Sequence, residues 1–481
     1  MMSITSQLNV ILPEIIIAVS AMFILLTDLY IKDSSKKIIY ALSQLSLLLT
    51  AIVIARQSFE ATQYVFNDMY VSDTLASFLK LLSLISTSIV FIYAKSYLQK
   101  KLLLSGEYFS LTLFALLGIM LMISGNNLLI IYMGLELLSL CLYALVAINR
   151  DNLLATEAAM KYFVLGALAS GLLLYGMSMI YGITGSLDLR LIANGLNQID
   201  ISPSILAFGL VFIVVGIAFK FGAVPFQMWV PDIYQGATLP MTMMISSVPK
   251  FASAALLIRL LFQGMESVIA DWQQMLLIMA ILSMVIGNIA AIAQTNIKRM
   301  LAYSTISHVG FIFFGFMSGT VNGISASLFY VTCYALMTLA AFGSIIILSN
   351  KDKDFELIDD FKGLSQRNPS VAFLTMLTML SMAGIPPTIG FYAKFSVLQA
   401  AIDVNIIWPS IIAVIMALVG MYYYLRIIKL MYFDKPTVAK KIKVSKELLG
   451  LLIINSGSLL VLGLSPKLLM SIAALAASLS I

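Results

Sequence analysis

Residues 216–240 read GIAFKFGAVPFQMWVPDIYQGATLP. The stretch begins as an apolar helix and then sets Lys220 inside the apolar run. Gly222, Pro225, Pro231 and Gly236 follow and interrupt the helical hydrogen-bond ladder. Inside a bilayer such a break is tolerated only where protein or a wet cavity satisfies the freed backbone groups. A charge beside the break therefore points to a polar interior within an apolar, membrane-embedded fold.

The rest of the chain has the composition that this reading requires. Of its 481 residues, 61% are hydrophobic and 11% are charged, with a mean hydropathy of +1.00. Ordinary soluble domains carry about 25% charge. Apolar runs recur from end to end, each long enough for a hydrocarbon core of about 30 Å. The expected class is an all-α integral membrane protein, with no separate soluble domain. About 14 transmembrane helices are predicted, near 11–31, 38–56, 73–95, 108–124, 127–148, 155–182, 203–225, 240–262, 273–295, 299–318, 323–349, 370–402, 407–431 and 447–465. Residues 1–12 lack Lys and Arg, so the first run is expected to be a retained helix rather than a signal peptide. Cys141 and Cys333 fall in different predicted helices and read as packing residues.

The net charge of +6 follows topology and gives no sign of nucleic-acid binding. Twenty of the 29 basic residues, from Lys32, Lys36 and Lys37 through Lys440 and Lys441 to Lys443 and Lys446, fall in alternate loops on one side. Arg56, Arg190, Arg259 and Lys467 fall on the other. Lys80, Lys161, Lys220, Lys250 and Lys394 lie within spans. The positive-inside rule then puts both termini on the outer, periplasmic side.

A weak internal symmetry is visible. The seventh span is broken at Gly222, Pro225 and Pro231, and the twelfth at AGIPPTIG, residues 383–390. Five spans separate the two breaks, so the broken helices would run in opposite directions, as in transporters built from inverted repeats. Two unrelated proline kinks would give the same pattern. On the repeat reading, residues 1–105 are N-terminal helices and 106–262 a first five-helix repeat. Residues 273–431 are then a second, inverted five-helix repeat, and 432–481 a C-terminal helix region.

A charge near the bilayer centre costs roughly 2.5–3.5 kcal/mol on insertion scales. Glu136 lies mid-span, and Lys220, Lys250 and Lys394 are deep in theirs. One acid and three lysines on four spans cannot all be neutralised as fixed pairs. A relay of protonatable groups explains them, whereas one static pair between helices would explain only two. Glu157 and Lys161 have the favourable i,i+4 order of a local ion pair. Lys80 lies close enough to a span end to snorkel, and Glu14 beside Pro13 reads as interfacial. His308, the only histidine, follows Lys298 in NIKRMLAYSTISHVGF, where Ser304 and Ser307 could hold bridging water. A lone histidine is more often a satisfied core residue, but its ordinary pKa suits proton passing.

One histidine cannot ligate a haem twice, and two isolated cysteines cannot hold an iron–sulfur cluster. With no strand expected, no glycine-rich nucleotide loop is expected either. No metal or cofactor site is therefore anticipated in this chain.

Several stretches resemble the antiporter-like membrane subunits of bacterial proton-pumping NADH:quinone oxidoreductase, respiratory complex I. They are LPEIIIA (12–18), YMGLELLSL (132–140), EAAMKYFVLGALASG (157–171), KFGAVPFQMWVPDIYQGATLP (220–240), QTNIKRMLAYSTISHVG (294–310), DDFKGL (359–364) and AGIPPTIGFYAKF (383–395). The length, the lack of a long C-terminal lateral helix, and Lys394 where the M type carries glutamate match the N type of subunit.

By that resemblance Glu136 is the fifth-helix glutamate and Lys220 the seventh-helix lysine paired with it. Lys250 is the bridging eighth-helix lysine and Lys394 the terminal lysine of the relay. Glu157, Lys161, Lys298 and His308 match family positions as supporting residues, and Lys80 and Glu14 stay structural. The resemblance implies proton translocation driven by quinone reduction elsewhere. When Glu136 moves away from Lys220, the lysine's proton would pass towards Lys250 and Lys394. It also implies FMN, iron–sulfur clusters and quinone on other subunits, and antiporter-like and small helical membrane-arm partners in the bacterial inner membrane. A cation/proton antiporter component from the same superfamily is the competing reading, and an inert scaffold a third.

Overall fold

The computed structural model describes residues 4–31, 36–58, 61–198, 203–351, 353–436 and 441–479; Lys32 and Lys440 lie outside these residues. The first helices are α1 (Ile4–Val10), α2 (Leu12–Tyr30), α3 (Lys37–Gln57), α4 (Thr74–Lys101), α5 (Gly106–Ser124), α6 (Leu128–Val146) and α7 (Leu153–Thr184). The middle of the chain forms α8 (Leu189–Gln198), α9 (Pro203–Phe221), α10 (Trp229–Gly236), α11 (Leu239–Ser247), α12 (Pro249–Leu257), α13 (Ile269–Ile292), α14 (Ile297–Phe316) and α15 (Val321–Leu348). The last helices are α16 (Leu364–Arg367), α17 (Pro369–Ala383), α18 (Ile389–Asp403), α19 (Ile407–Tyr432), α20 (Lys446–Leu464) and α21 (Lys467–Ser478). Among the described residues, twelve helices are long and apolar enough to cross a membrane.

Helix starts follow local chemistry. Asp73, Asn127, Asn152, Asn296, Thr320 and Asn368 each accept a backbone N–H of the following first turn through the side chain. Such a cap satisfies an otherwise orphaned donor and contributes about 1 kcal/mol.

The chain is not strand-free, as its sequence suggested. Gln63–Val65 and Tyr70–Ser72 form an antiparallel hairpin between α3 and α4. Phe66, Asn67 and Asp68 turn it at positive φ, a conformation that Asn and Asp tolerate better than most residues.

The centre of the molecule is α11, α12 and α15. The span Leu239–Gln263 is wholly buried and α15 nearly so, whereas only about a quarter of the residues of α2 and α19 are buried. Close approaches at glycine hold two helix pairs. An added Cβ at Gly118 of α5 would meet Gly134 O and Leu138 N of α6, and one at Gly287 of α13 would meet Tyr303 O and Ser307 N of α14. Each of these pairs also ends in the same backbone joint. Leu128 N–H donates to Leu187 O and Leu189 N–H to Asn126 O; Ile297 N–H donates to Glu356 O and Ile358 N–H to Thr295 O. Glycine contacts and joint hydrogen bonds recur at one offset of 169 residues (128 to 297, 187 to 356).

The breaks after α9 and α17 are also alike. Gly222 (φ +77°) and Gly384 (φ +82°) adopt the left-handed conformation that favours glycine. Ala223 N–H reaches back to Ala218 O, and Ile385 N–H to Leu380 O, the six-to-one bond of a Schellman helix end. Three residues after each glycine comes a cis proline, Pro225 or Pro387.

Candidate functional site

The two breaks supply carbonyls, and buried lysines take them. Lys250 Nζ, on α12, donates to Phe221 O at the end of α9, 2.7 Å away. Lys394 Nζ, on α18, donates to Ala383 O (2.9 Å) and Met382 O (3.3 Å) at the end of α17. The carbonyls nearest Lys250 thus come from the break in α9, not from the neighbouring Pro249. Carbonyls at a helix C-terminus carry partial negative charge and suit a cation. Each lysine also faces a ring: Lys250 lies 5.9 Å from the centre of Trp229 and Lys394 5.4 Å from that of Phe311. At the first break the lysine on the carbonyl is Lys250, from α12, and at the second it is Lys394, from α18.

Lys220 sits at the last turn of α9. Its ammonium donates to Ser139 Oγ on α6, three residues beyond Glu136. The expected Glu136–Lys220 ion pair is not formed in this conformation, and Glu136 Oε1 is buried with no hydrogen-bond partner. Among the described residues no carboxylate lies within ion-pair distance of Lys220, Lys250 or Lys394. The three amines are held by neutral oxygens, Lys250 and Lys394 buried and Lys220 half-buried.

His308 lies on α14 between two tyrosines. Its Nδ1 is 2.8 Å from Tyr330 Oη and its Nε2 3.1 Å from Tyr424 Oη, which is 2.6 Å from Ser304 Oγ. Thr305 Oγ1 meets Tyr334 Oη at 2.8 Å. Ser304 reaches the imidazole through Tyr424. A neutral imidazole donates at one nitrogen and accepts at the other, so this chain of hydroxyls can pass a proton through the ring.

Lys161 pairs with Glu157 (2.8 Å), as its spacing predicts, and also with Asp232 on α10 (3.0 Å). Asp232 further takes Arg299 of α14 at 2.7 Å. Lys298 is buried, donates to Ala237 O (3.2 Å) and pairs with Glu356 (2.7 Å). Asp354 accepts from Tyr97 (2.6 Å) and pairs with Lys101 (3.0 Å). A cavity of about 240 Å³ opens beside this group, lined by Tyr97, Lys101, Thr238, Lys298, Asp354 and Glu356 among others. Sequence reading missed Asp232, Glu356, Tyr330 and Tyr424. Asp232 follows a break glycine by the same ten residues that separate Lys394 from Gly384, which is the one signal that singles it out.

Two structural assignments change in detail. Lys80 does not snorkel: it is buried against Glu14 (2.6 Å) and donates to Tyr70 Oη (2.7 Å). Arg259, counted with the outer side at the end of the 240–262 span, is fully buried in a π-helical stretch and bonds both oxygens of Asp73 at 2.8 and 2.9 Å.

Residues 125–421 match the family model described as NADH:quinone oxidoreductase/Mrp antiporter, transmembrane. A Methylovorus glucosotrophus protein named NADH-quinone oxidoreductase subunit N is 54% identical over 99% of both chains. The like-named Nitrosomonas europaea protein is 49% identical over 96% of both. Among solved structures, a chain of respiratory complex I from Thermus thermophilus with bound aureothin matches with TM-score 0.82 and 29% identity, covering 96% of this chain and 99% of that one. A chain of the Mrp complex from Dietzia sp. matches with TM-score 0.85 at 19% identity, covering 99% and 97%, a likeness of fold alone.

Proposed function

The chain belongs to the NADH:quinone oxidoreductase/Mrp antiporter transmembrane family, and from that premise we propose that it is an antiporter-like, proton-translocating membrane subunit of NADH:quinone oxidoreductase, of the N type. It is a multi-pass membrane protein. The observation that carries the reading is the placing of Lys250 and Lys394 on the carbonyls of two matching helix breaks, in a chain about half identical to N-type relatives from end to end.

On this reading α9–α10, already among the twelve, and α17–α18 are broken crossings, and α17–α18 together with α14 brings the total to fourteen. Residues 106–262 and 273–431 are inverted repeats, supported by the paired glycine contacts and backbone joints. Glu136, Lys220, Lys250 and Lys394 form the relay, and Glu157, Lys161, Lys298 and His308 support it. In the described conformation Lys220 rests on Ser139. Return of the Glu136 carboxylate to Lys220 would favour the charged amine, and its departure would release the proton towards Lys250 and, through the His308 hydroxyl chain, Lys394. This chain has no redox role. FMN, iron–sulfur clusters and quinone belong to partner subunits of the membrane and peripheral arms. The protein sits in the bacterial inner membrane with both termini periplasmic.

The test is Lys220→Ala in native membranes with complex assembly verified. NADH-driven proton pumping is expected to fall at least about tenfold, and wild-type pumping refutes the relay. The cation/proton antiporter alternative is disfavoured by an interior of lysines, which repel metal cations; co-purification without dehydrogenase subunits would restore it.

A further inference from the structure

The two backbone joints expose an asymmetry. In the first, Leu187 stands where Glu356 stands in the second, and Leu129 where Lys298 stands. The joint therefore forms on leucines, and the fold does not require an ion pair there. The pair appears only on the lysine-rich face, beside the cavity.

The pair also spans a gradient of exposure. The Glu356 side chain is 37% exposed and that of Lys298 4%, with 2.7 Å between them. The buried Thr238 Oγ1, on the cavity wall, has no hydrogen-bond partner, and neither does the buried Tyr234 Oη one turn earlier in the chain. Buried hydroxyls that a polar cavity reaches are satisfied by water. Thr305 and Tyr334 form a hydroxyl pair between α14 and α15, and the Tyr334 ring lies 5.5 Å from that of His308.

We propose that Glu356 is a proton-loading residue, through which the lysine-rich aqueous face feeds Lys298 and, by way of the cavity, the relay. The Glu356 carboxylate takes a proton from water and becomes a carboxylic acid. It yields that proton to the Lys298 amine once Lys298 has passed its own inward, and the carboxylate is restored. Asp354, Lys101 and Tyr97 hold the rim of the cavity.

The proposal rests on the proton-translocation reading, so its test carries a control for that reading. Glu356→Gln, Glu356→Asp, Glu356→Leu and Lys220→Ala are compared in native membranes, each scored for assembled complex and for protons moved per NADH oxidised. Glu356→Gln and Glu356→Leu are expected to assemble fully and to pump at least several-fold more slowly, with Glu356→Asp restoring most of the rate. Wild-type pumping by Glu356→Gln, with Lys220→Ala impaired, overturns the loading role alone. Loss of assembly in Glu356→Leu also overturns it, because the pair would then be a structural clamp. Wild-type pumping by both Glu356→Gln and Lys220→Ala removes the translocation reading itself.

Discussion

At the residue scale, the chemistry depends on single polar atoms that a hydropathy profile cannot rank. Tyr424 is the clearest case. It joins His308 to Ser304 through one hydroxyl, and all three side chains are buried. Tyr424→Phe keeps the ring and removes the oxygen, leaving His308 Nε2 without its partner. The stability cost is about 1–3 kcal/mol for the unsatisfied group. Proton pumping is expected to fall several-fold with assembly intact, whereas Tyr423→Phe, which loses only a bond to Asn288, leaves pumping near wild type. Pumping assays on the two variants decide it. The mid-span charges Glu136, Lys220, Lys250 and Lys394 were legible in the sequence because each violates the apolar pattern around it. Their partners were not. Phe221 O, Ala383 O and the tyrosine hydroxyls are polar atoms of residues that read as ordinary membrane helix, brought in from distant chain positions.

At the element scale, the breaks were legible and their equivalence was only half so. Glycine and proline punctuation marked both, but not that Lys250 meets the carbonyl end of the first break as Lys394 meets that of the second. The reason is physical: a capping cation needs reach to the carbonyl, whichever helix supplies it. The left-handed glycines define the two ends. A Cβ at Gly222 would meet the Val230 side chain, and one at Gly384 would meet Lys394 itself. Gly222→Ala and Gly384→Ala are each expected to cost about 1–2 kcal/mol for the left-handed backbone, seen as a lower melting temperature of the purified complex. Gly171→Ala, where nothing lies within 4 Å of the added carbon, serves as the neutral control. Gly384→Ala should also slow pumping, since it crowds the Lys394 ammonium.

At the scale of the whole molecule, the question is what fastens the N-terminal helices to the unit that carries the relay. Asp73 caps α4, and its carboxylate also takes Arg259 from the span that bears Lys250. Arg259 spends its remaining donors on Ile123 O and Gln263, so the ion is satisfied on all sides. Hydropathy placed Arg259 at the outer end of its span, where a lone arginine normally faces water; Asp73 and Ile123 O take it instead. Two buried charges in good geometry offset most of each other's desolvation, so the pair is specific rather than strongly stabilising. Breaking it from one side is different. Arg259→Met leaves a buried carboxylate and is expected to cost about 3–5 kcal/mol, whereas adding Asp73→Leu removes the stranded charge and should recover most of that loss. A double-mutant comparison of melting temperatures checks the sign. Equal damage from the single and the double variant would mean that the cap on Ala76 N–H, which the double variant also loses, matters more than the charge pair.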